Sequence, residues 1–311
     1  MRTLTSLALG AVAAAAGGIG YASLIERNAF TLRRWTLPVL PAGAPPLRVL
    51  HVTDLHLVPR QRRKIEWVRG LAALEPDFVV NTGDNLADEE AVPFVVDAFE
   101  PLLELPGMFV MGSNDYFGPV MKNPLRYVDR SHKRGSATGA RRLPTDDLVK
   151  AFLDAGWQDL DNHRGRLVVR GLDLELVGVD DPHVQFDRYA QVAGPADPSA
   201  ALTLGVVHAP YQRVLDAMTA DGAGLVIAGH THGGQLCLPF YGALVTNCDL
   251  PTDRAKGVSR WWPGADGAPS SAAPADAAWM EVSAGLGTSP YAPVRFACRP
   301  EASLLTLVPR G

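Results

Sequence analysis

The sequence predicts an α/β fold in which helices cover a sheet, and two observations support this prediction. Short apolar runs at 47–52, 78–81 and 108–111 have the length of buried strands, and the residues between them carry apolar side chains at helical spacing. A regular alternation of strands and helices is typical of a sheet covered by helices. The composition agrees, because 47% hydrophobic and 20% charged residues suffice for a sizeable core.

The remaining elements follow from the same two patterns. The further predicted strands are apolar runs bounded by turn residues, namely a hairpin over 167–179 that turns at Gly171, then 202–207, 225–228, 280–284 and 304–308. The predicted helices have apolar side chains three and four residues apart, over 61–74, 91–105, 148–157 and 211–219.

The composition of the amino-terminal region predicts that two segments precede the folded domain. No charged residue occurs from Leu4 to Ile25, a stretch about long enough to span a bilayer as a helix. We therefore divide the chain into an anchor or signal segment (1–35), a proline-rich linker (36–46) and a catalytic domain (47–311). An uncleaved membrane anchor is the favoured interpretation, and a cleaved signal peptide, which would make the protein secreted, and a soluble helix are the alternatives.

The sidedness of such an anchor stays open on the sequence. Only Arg2 precedes the apolar stretch, whereas Arg27, Arg33 and Arg34 follow it. The positive-inside rule then favours a cytoplasmic domain, against the usual orientation of anchors that begin with a basic residue.

Charge elsewhere indicates little about partners. With 29 basic and 33 acidic residues, the net charge of −4 argues against a nucleic-acid partner. The segment 118–142 is locally basic, and it is interpreted either as a solvated insertion or as a lid that meets an anionic substrate or lipid headgroups through Arg126, Arg130, Lys133 and Arg134.

Polar side chains with ligand capability follow five of the predicted strands. They are Asp54 and His56, then Asp84, then Ser113, Asn114 and Asp115, then His208, and finally His230 and His232. Strand ends in an α/β sheet meet at one edge, where ligands bind. The i, i+2 spacing of the Asp54/His56 and His230/His232 pairs lets both members of a pair point to the same side of an extended segment.

This set of side chains predicts a pair of divalent metal ions. Imidazoles favour Mn, Fe, Zn or Ni, and a carboxylate can bridge two ions. The identity of the metals does not follow from the residues.

The ordered motifs D-x-H, G-D, G-S-N-D, a lone His and G-H-T-H resemble those of the calcineurin-like metallophosphoesterase family, in its membrane-associated bacterial branch. The resemblance implies a four-layer α-β-β-α sandwich. It also implies that Asp54, His56 and His232 hold one ion, that Asp84 bridges, and that His208 and His230 hold the second ion. Manganese, iron or zinc would serve as the metals.

The third motif departs from the family pattern G-N-H-D or G-N-H-E. Asn114 or Ser113 fills the ligand place, and Asn114 is favoured because an amide oxygen is a better ligand than a neutral hydroxyl. The motif lacks its histidine, which lies near the leaving group in the family. His183, in Asp180-Asp181-Pro182-His183, is a candidate replacement as general acid, and a loop residue without a catalytic role is the alternative.

The predicted activity is hydrolysis of a phosphate ester by a metal-bridging hydroxide, with His208, Asn114 and His183 as the candidate catalytic residues beside the metals. The apolar amino terminus and the basic segment favour a phosphodiester or lipid-linked phosphate as substrate. The alternative is a catalytically inactive, membrane-tethered metal-binding module, which the altered third motif would explain.

Overall fold

The computed structural model describes residues 15–121 and 140–311. In chain order the strands are β1 (Thr31–Leu40), β2 (Leu47–Val52), β3 (Phe78–Asn81), β4 (Gly107–Phe109), β5 (Gln158–Asp159), β6 (Arg164–Val169), β7 (Leu172–Val179), β8 (Leu202–Val207), β9 (Leu225–Ala228), β10 (Cys237–Leu238), β11 (Gly242–Ala243), β12 (Gly257–Trp261), β13 (Ala278–Val282) and β14 (Glu301–Pro309). The α-helices with described bounds are α1 (Arg62–Arg69), α2 (Val92–Phe99), α3 (Ser113–Tyr116), α4 (Thr145–Asp154) and α5 (Gln212–Ala220).

Twelve of these strands form two six-stranded sheets. The first sheet has the order β1-β14-β2-β3-β4-β5 and the second β12-β13-β9-β8-β7-β6, while β10 and β11 form a separate two-stranded ribbon. Strands β2, β3, β4 and β5 run parallel to one another, as do β7, β8, β9 and β13. The carboxyl ends of each parallel set therefore lie at one edge of its sheet.

Three layers of buried apolar side chains separate four layers of secondary structure. Helices α1, α2 and α4 pack on the outer face of the first sheet, through residues such as Val68, Phe99 and Phe152. The inner faces of the two sheets pack against each other, and α5 covers the outer face of the second sheet. The four-layer α-β-β-α architecture is thus confirmed.

Strand β1 corrects the predicted boundary between linker and domain. Residues 36–40 belong to this strand, which pairs in parallel with β14 from Thr31↔Glu301 onward, and Leu37, Val39 and Leu40 are buried between the sheets. Proline misled the prediction, because Pro38 cannot donate to a strand ladder. Its strand lies at the edge of the sheet, where that donor is not needed. Only residues 41–46 connect β1 to β2.

The chain before β1 is helical from residue 15 to Asn28 in the described part. This helical segment packs against the domain. Arg295 N donates to Ala22 O at 3.1 Å, and Cys298 N donates to Glu26 Oε1 at 2.7 Å. Over residues 15–121 and 140–311, no helix combines the length and apolarity that crossing a bilayer needs. Residues 1–14 lie outside the described part, as do Arg126, Arg130, Lys133 and Arg134 of the predicted lid.

The role of β1 as part of the core generates a stability prediction. Leu37→Ala is expected to lower the free energy of unfolding by about 2–4 kcal/mol, because it leaves a cavity between the sheets. Thr36→Ala, at the exposed neighbouring position of the same strand, is expected to stay within about 0.5 kcal/mol of the parent protein. Denaturant unfolding measures both. Equal stability of the two variants would mean that burial of Leu37 does not contribute to the core.

Candidate active site

Five strand ends deliver the predicted polar side chains to one buried place between the sheets. Strands β2, β3 and β4 bring their loops from the first sheet, and β8 and β9 bring theirs from the second. The six predicted ligands of the Asp and His type are all buried: Asp54, His56, Asp84, His208, His230 and His232.

Four of these side chains converge most tightly. Asp54, His56, Asp84 and His232 each offer a ligand atom, and the four atoms lie within 4.8 Å of one another. The two Nε2 atoms of His56 and His232 are 3.1 Å apart, and His56 Nε2 is 3.4 Å from Asp84 Oδ2. Asp54 Oδ1 lies 3.5 Å from His232 Nε2.

The group formed by Asp54, His56, Asp84 and His232 is suited to bind a divalent cation. Asp54 Oδ1 is buried and has no hydrogen-bond partner among the residues that the structure describes, whereas Asp54 Oδ2 accepts from Thr53 Oγ1 and from the backbone of His230. A buried carboxylate oxygen without a partner is costly unless a cation occupies the space beside it. Two imidazole nitrogens pointing at the same space supply the remaining donors that such an ion prefers.

The other oxygen of Asp84 faces a second pair of imidazoles. Asp84 Oδ1 is 3.5 Å from His208 Nε2, which is 3.2 Å from His230 Nδ1. His208 Nδ1 donates to Thr82 O at 2.6 Å, and His230 Nε2 donates to Asn247 O at 3.3 Å. These outer hydrogen bonds fix the ring orientations, with His208 Nε2 directed towards Asp84 and His230 Nδ1 towards His208 Nε2.

The backbone at the site is strained in a consistent way. Five candidate ligands have positive φ, between +41° and +69°: Asp54, His56, Asp84, His230 and His232. Non-glycine residues seldom adopt this conformation, and clusters of it occur at functional sites. A Cβ on Gly112 would lie 2.3 Å from Asp84 Oδ1, and one on Gly229 would lie 2.5 Å from Asp54 Oδ2, so both turns require glycine.

Burial and charge set the protonation of the cluster. Burial lowers the pKa of His232 to about 3, and it also lowers the pKa of His56 and His230. Burial alone would raise the pKa of Asp84, but the charge and hydrogen bond of His208 outweigh it and hold this pKa well below its usual range. Three imidazoles are therefore held neutral, which is the form that binds metals.

The third motif places Asn114, rather than Ser113, against Asp84. Asn114 N donates to Asp84 Oδ1 at 2.7 Å, and its amide nitrogen donates to Asp84 Oδ2 at 2.8 Å. The side chain of Asn114 therefore contacts Asp84, the carboxylate that lies between the two pairs of imidazoles. Its role as a ligand remains a prediction.

His183 lies at the margin of the second pair. It follows β7, and its ring centroid is 4.5 Å from that of His230. His183 Nδ1 is 3.1 Å from the Tyr211 hydroxyl, and its backbone nitrogen donates to Asp181 Oδ1 at 2.8 Å. The structure thus brings His183 to the site, and its role as general acid remains a prediction.

Comparison with known proteins decides the family. The family model described as calcineurin-like phosphoesterase matches residues 47–234, which is more than half of the chain. The chain belongs to the calcineurin-like phosphoesterase family. Its members are metal-dependent hydrolases of phosphoric esters, and the predicted fold and enzyme class are therefore confirmed.

Three relatives illustrate the range of similar proteins. "Uncharacterized protein YpbG" of Bacillus subtilis is 25% identical over 270 residues, 85% of this chain and 82% of that protein. "Phosphodiesterase YaeI" of Escherichia coli is 26% identical over 240 residues, 76% of this chain and 78% of that protein. The bovine "Transmembrane protein with metallophosphoesterase domain" is 28% identical over 211 residues, 63% of this chain and 43% of that protein.

Asp115 has a structural role in this phosphoesterase that its motif alone does not indicate. Its buried carboxylate accepts hydrogen bonds from the backbone N–H groups of Gly112, Asp84, Asn85 and Leu86 at 2.8–3.2 Å. One side chain of the third motif therefore fixes the loop that carries Asp84. The G-S-N-D motif contains the residue, but nothing in its spacing shows where the carboxylate points.

A buried polar network lies behind the site, and the order of residues in the sequence does not predict it. His51 Nδ1 is 2.6 Å from Glu281 Oε2 and His51 Nε2 is 2.8 Å from Thr82 Oγ1, while Ser303 Oγ donates to Glu281 Oε1 at 2.7 Å. Thr82 in turn accepts from His208. The network ties β2 of the first sheet to β13 of the second, next to the second pair of imidazoles. The only sequence signal was a histidine inside an apolar strand.

The role of Asp115 generates a prediction on metal binding. Asp115→Asn is expected to weaken Mn²⁺ binding by roughly 10–100-fold, because an amide group would face backbone N–H donors and release the Asp84 loop. Titration of the metal-stripped full-length protein measures the affinity. Asp146→Asn, at an exposed position of α4, is the matched control and should bind Mn²⁺ like the parent protein. Equal affinities in both variants would contradict the assigned role.

Proposed function

We propose that this chain is a dinuclear metal-dependent phosphodiesterase, acting on a phosphodiester or on a lipid-linked phosphate. The position of Asp84 carries the proposal. Its two oxygens face different imidazoles, with Oδ2 beside His56 and Oδ1 beside His208. A carboxylate in this position is suited to bridge two ions.

The residues that would hold the ions form two sets, and Asp84 belongs to both. Asp54, His56 and His232 would hold one ion together with Asp84 Oδ2, and His208, His230 and Asn114 would hold the second together with Asp84 Oδ1. When bound, two such ions supply an activated water as nucleophile and neutralise charge on the phosphate. Manganese, iron and zinc all suit this mixture of nitrogen and oxygen donors.

The protein's own contribution is to position these groups and to supply a proton. The outer hydrogen bonds of His208 and His230 hold the rings in place before a metal arrives, which reduces the reorganisation needed on binding. His183 lies beside His230 and is proposed to protonate the leaving group in place of the histidine that the third motif lacks.

The proposed substrate class is supported by a similarity in sequence and by features that indicate a location at the membrane. One is similarity to a protein named a phosphodiesterase, which covers 76% of this chain. The other is the uncharged amino-terminal sequence from Leu4 to Ile25, which favours an enzyme associated with the cell membrane. Similarity to a protein named a transmembrane protein supports the same location.

Hydrolysis by the reloaded protein tests the proposed function. The full chain is stripped of metal, reloaded with Mn²⁺, and assayed with bis-p-nitrophenyl phosphate beside p-nitrophenyl phosphate. We expect metal-dependent turnover that favours the diester. Asp84→Asn and His208→Ala should reduce it to background, because each removes a proposed ligand of the second ion.

Two further observations complete this test. His163→Ala, which removes an exposed histidine, is the matched control and should retain turnover. Binding of about two ions with no hydrolysis of either ester would favour the alternative of an inactive metal-binding module. Binding of a single ion with full activity would contradict the dinuclear proposal.

The role of His183 generates a separate prediction. His183→Ala is expected to slow hydrolysis of an alkyl phosphodiester by about 10²–10⁴-fold, because an alkoxide needs a proton to depart. The same variant should slow the bis-p-nitrophenyl ester far less, since p-nitrophenolate leaves unprotonated. The ratio of the two rates in variant and parent measures the effect. Equal slowing of both esters would indicate that His183 acts only through structure.

A further inference from the structure

Exposed apolar side chains of this protein are concentrated on one surface. Fifteen large apolar residues are exposed in the described part of the chain, and eleven of them fall within residues 19–25, 236–244 and 291–296. We call these three segments the apolar face. Isolated exposed apolar residues are common in soluble proteins, but their concentration on one surface marks an interaction site.

Hydrogen bonds show that the three segments adjoin one another. Arg295 N donates to Ala22 O at 3.1 Å, which joins the third segment to the helix that contains the first. Phe296 N donates to Gln235 O at 3.1 Å and Cys237 N donates to Phe296 O at 2.9 Å, which join the third segment to the second. The apolar face is therefore continuous across segments far apart in sequence.

The most prominent part of the face is the turn between β10 and β11. Its tip is Pro239-Phe240-Tyr241, with Phe240 fully exposed and Tyr241 exposed to 73%. Phe240 has φ +67°, a conformation that is unfavourable for a bulky residue. A strained aromatic residue held in full contact with water is poorly explained by the stability of the fold.

Charged side chains are nearly absent from the apolar face and lie at its border. The apolar face contains one charged residue, Arg295, and its side chain is fully buried. No other charged residue occurs in the three segments, and the sequence from Leu4 to the first segment is also uncharged. Exposed arginines lie at the border, with Arg62 and Arg63 at the start of α1 and Arg299 beside the third segment. The ring of Trp67 in α1 contacts that of Phe30 at 5.5 Å, which joins α1 to the residues that follow the amino-terminal helix.

We propose that the apolar face docks onto the surface of a lipid bilayer that contains anionic lipids, with the Phe240-Tyr241 turn inserted among the headgroups and upper acyl chains. Aromatic and aliphatic side chains in an uncharged area, bordered by arginines, match the interfacial region of such a bilayer. Gln235 at the edge of the face follows His232 by three residues, so docking brings the metal-binding loops to the membrane surface.

Depth-dependent quenching tests this docking in the full chain. Tryptophan is introduced by Phe240→Trp and, as the matched control, by Val168→Trp, whose parent residue is 71% exposed in β6. Each variant is mixed with phosphatidylcholine/phosphatidylglycerol vesicles with and without acyl-chain bromine, and the parent signal is subtracted. The fluorescence added at position 240 should fall by roughly half or more in brominated vesicles, because interfacial side chains reach about 5–10 Å into the bilayer. The fluorescence at position 168 should not change.

Three outcomes would overturn parts or all of the proposal. Unquenched fluorescence at position 240 in brominated vesicles would exclude insertion. A blue shift at position 240 that depends on protein concentration without vesicles would instead assign the face to contact with a second copy. Equal quenching in vesicles of phosphatidylcholine alone at low salt would exclude a contribution from the bordering arginines. None of these readings depends on phosphoesterase activity, so they are independent of the proposed reaction.

Discussion

The carboxylate of Asp84 is the group around which the active site is arranged. His56 approaches one of its oxygens and His208 the other, and Asn114 donates to both. Burial opposes a charge at this position, so the carboxylate is kept ionised only by the polar groups around it. The neutral imidazoles of His56, His230 and His232 lie around this buried charge and offer nitrogen donors to cations.

The arrangement requires strained backbone conformations in the ligand loops, and hydrogen bonds to the backbone hold these loops in place. The ligand loops adopt left-handed conformations that extended or helical segments would not provide. Asp115 offsets part of that strain by binding four backbone N–H groups around the Asp84 loop. Gly112 and Gly229 leave the space in which the carboxylates of Asp84 and Asp54 lie. The loops are therefore held in place by groups that never meet the substrate.

The two sheets must keep a fixed relation, because each supplies part of the site. The apolar layer between them sets their spacing but has little directional preference. The buried contacts of Glu281 with His51 and Ser303 add directional hydrogen bonds across the layer, and His51 also contacts Thr82 immediately behind His208. Hydrogen bonds in so buried a place are strong and orient their partners closely. These hydrogen bonds therefore link the relative position of the two sheets to the geometry of His208 and His230.

The sequence by itself determined the central strands and the residues at their ends, because a short apolar run followed by Asp or His is a local pattern. Strands β2, β3, β8 and β9 have the predicted bounds. Tertiary structure alone decided that residues 31–40 form β1, since this strand exists by pairing with β14 at the other end of the chain. It likewise decided the roles of Asp115 and His51, because hydrogen bonds between distant segments leave no periodic trace in the sequence.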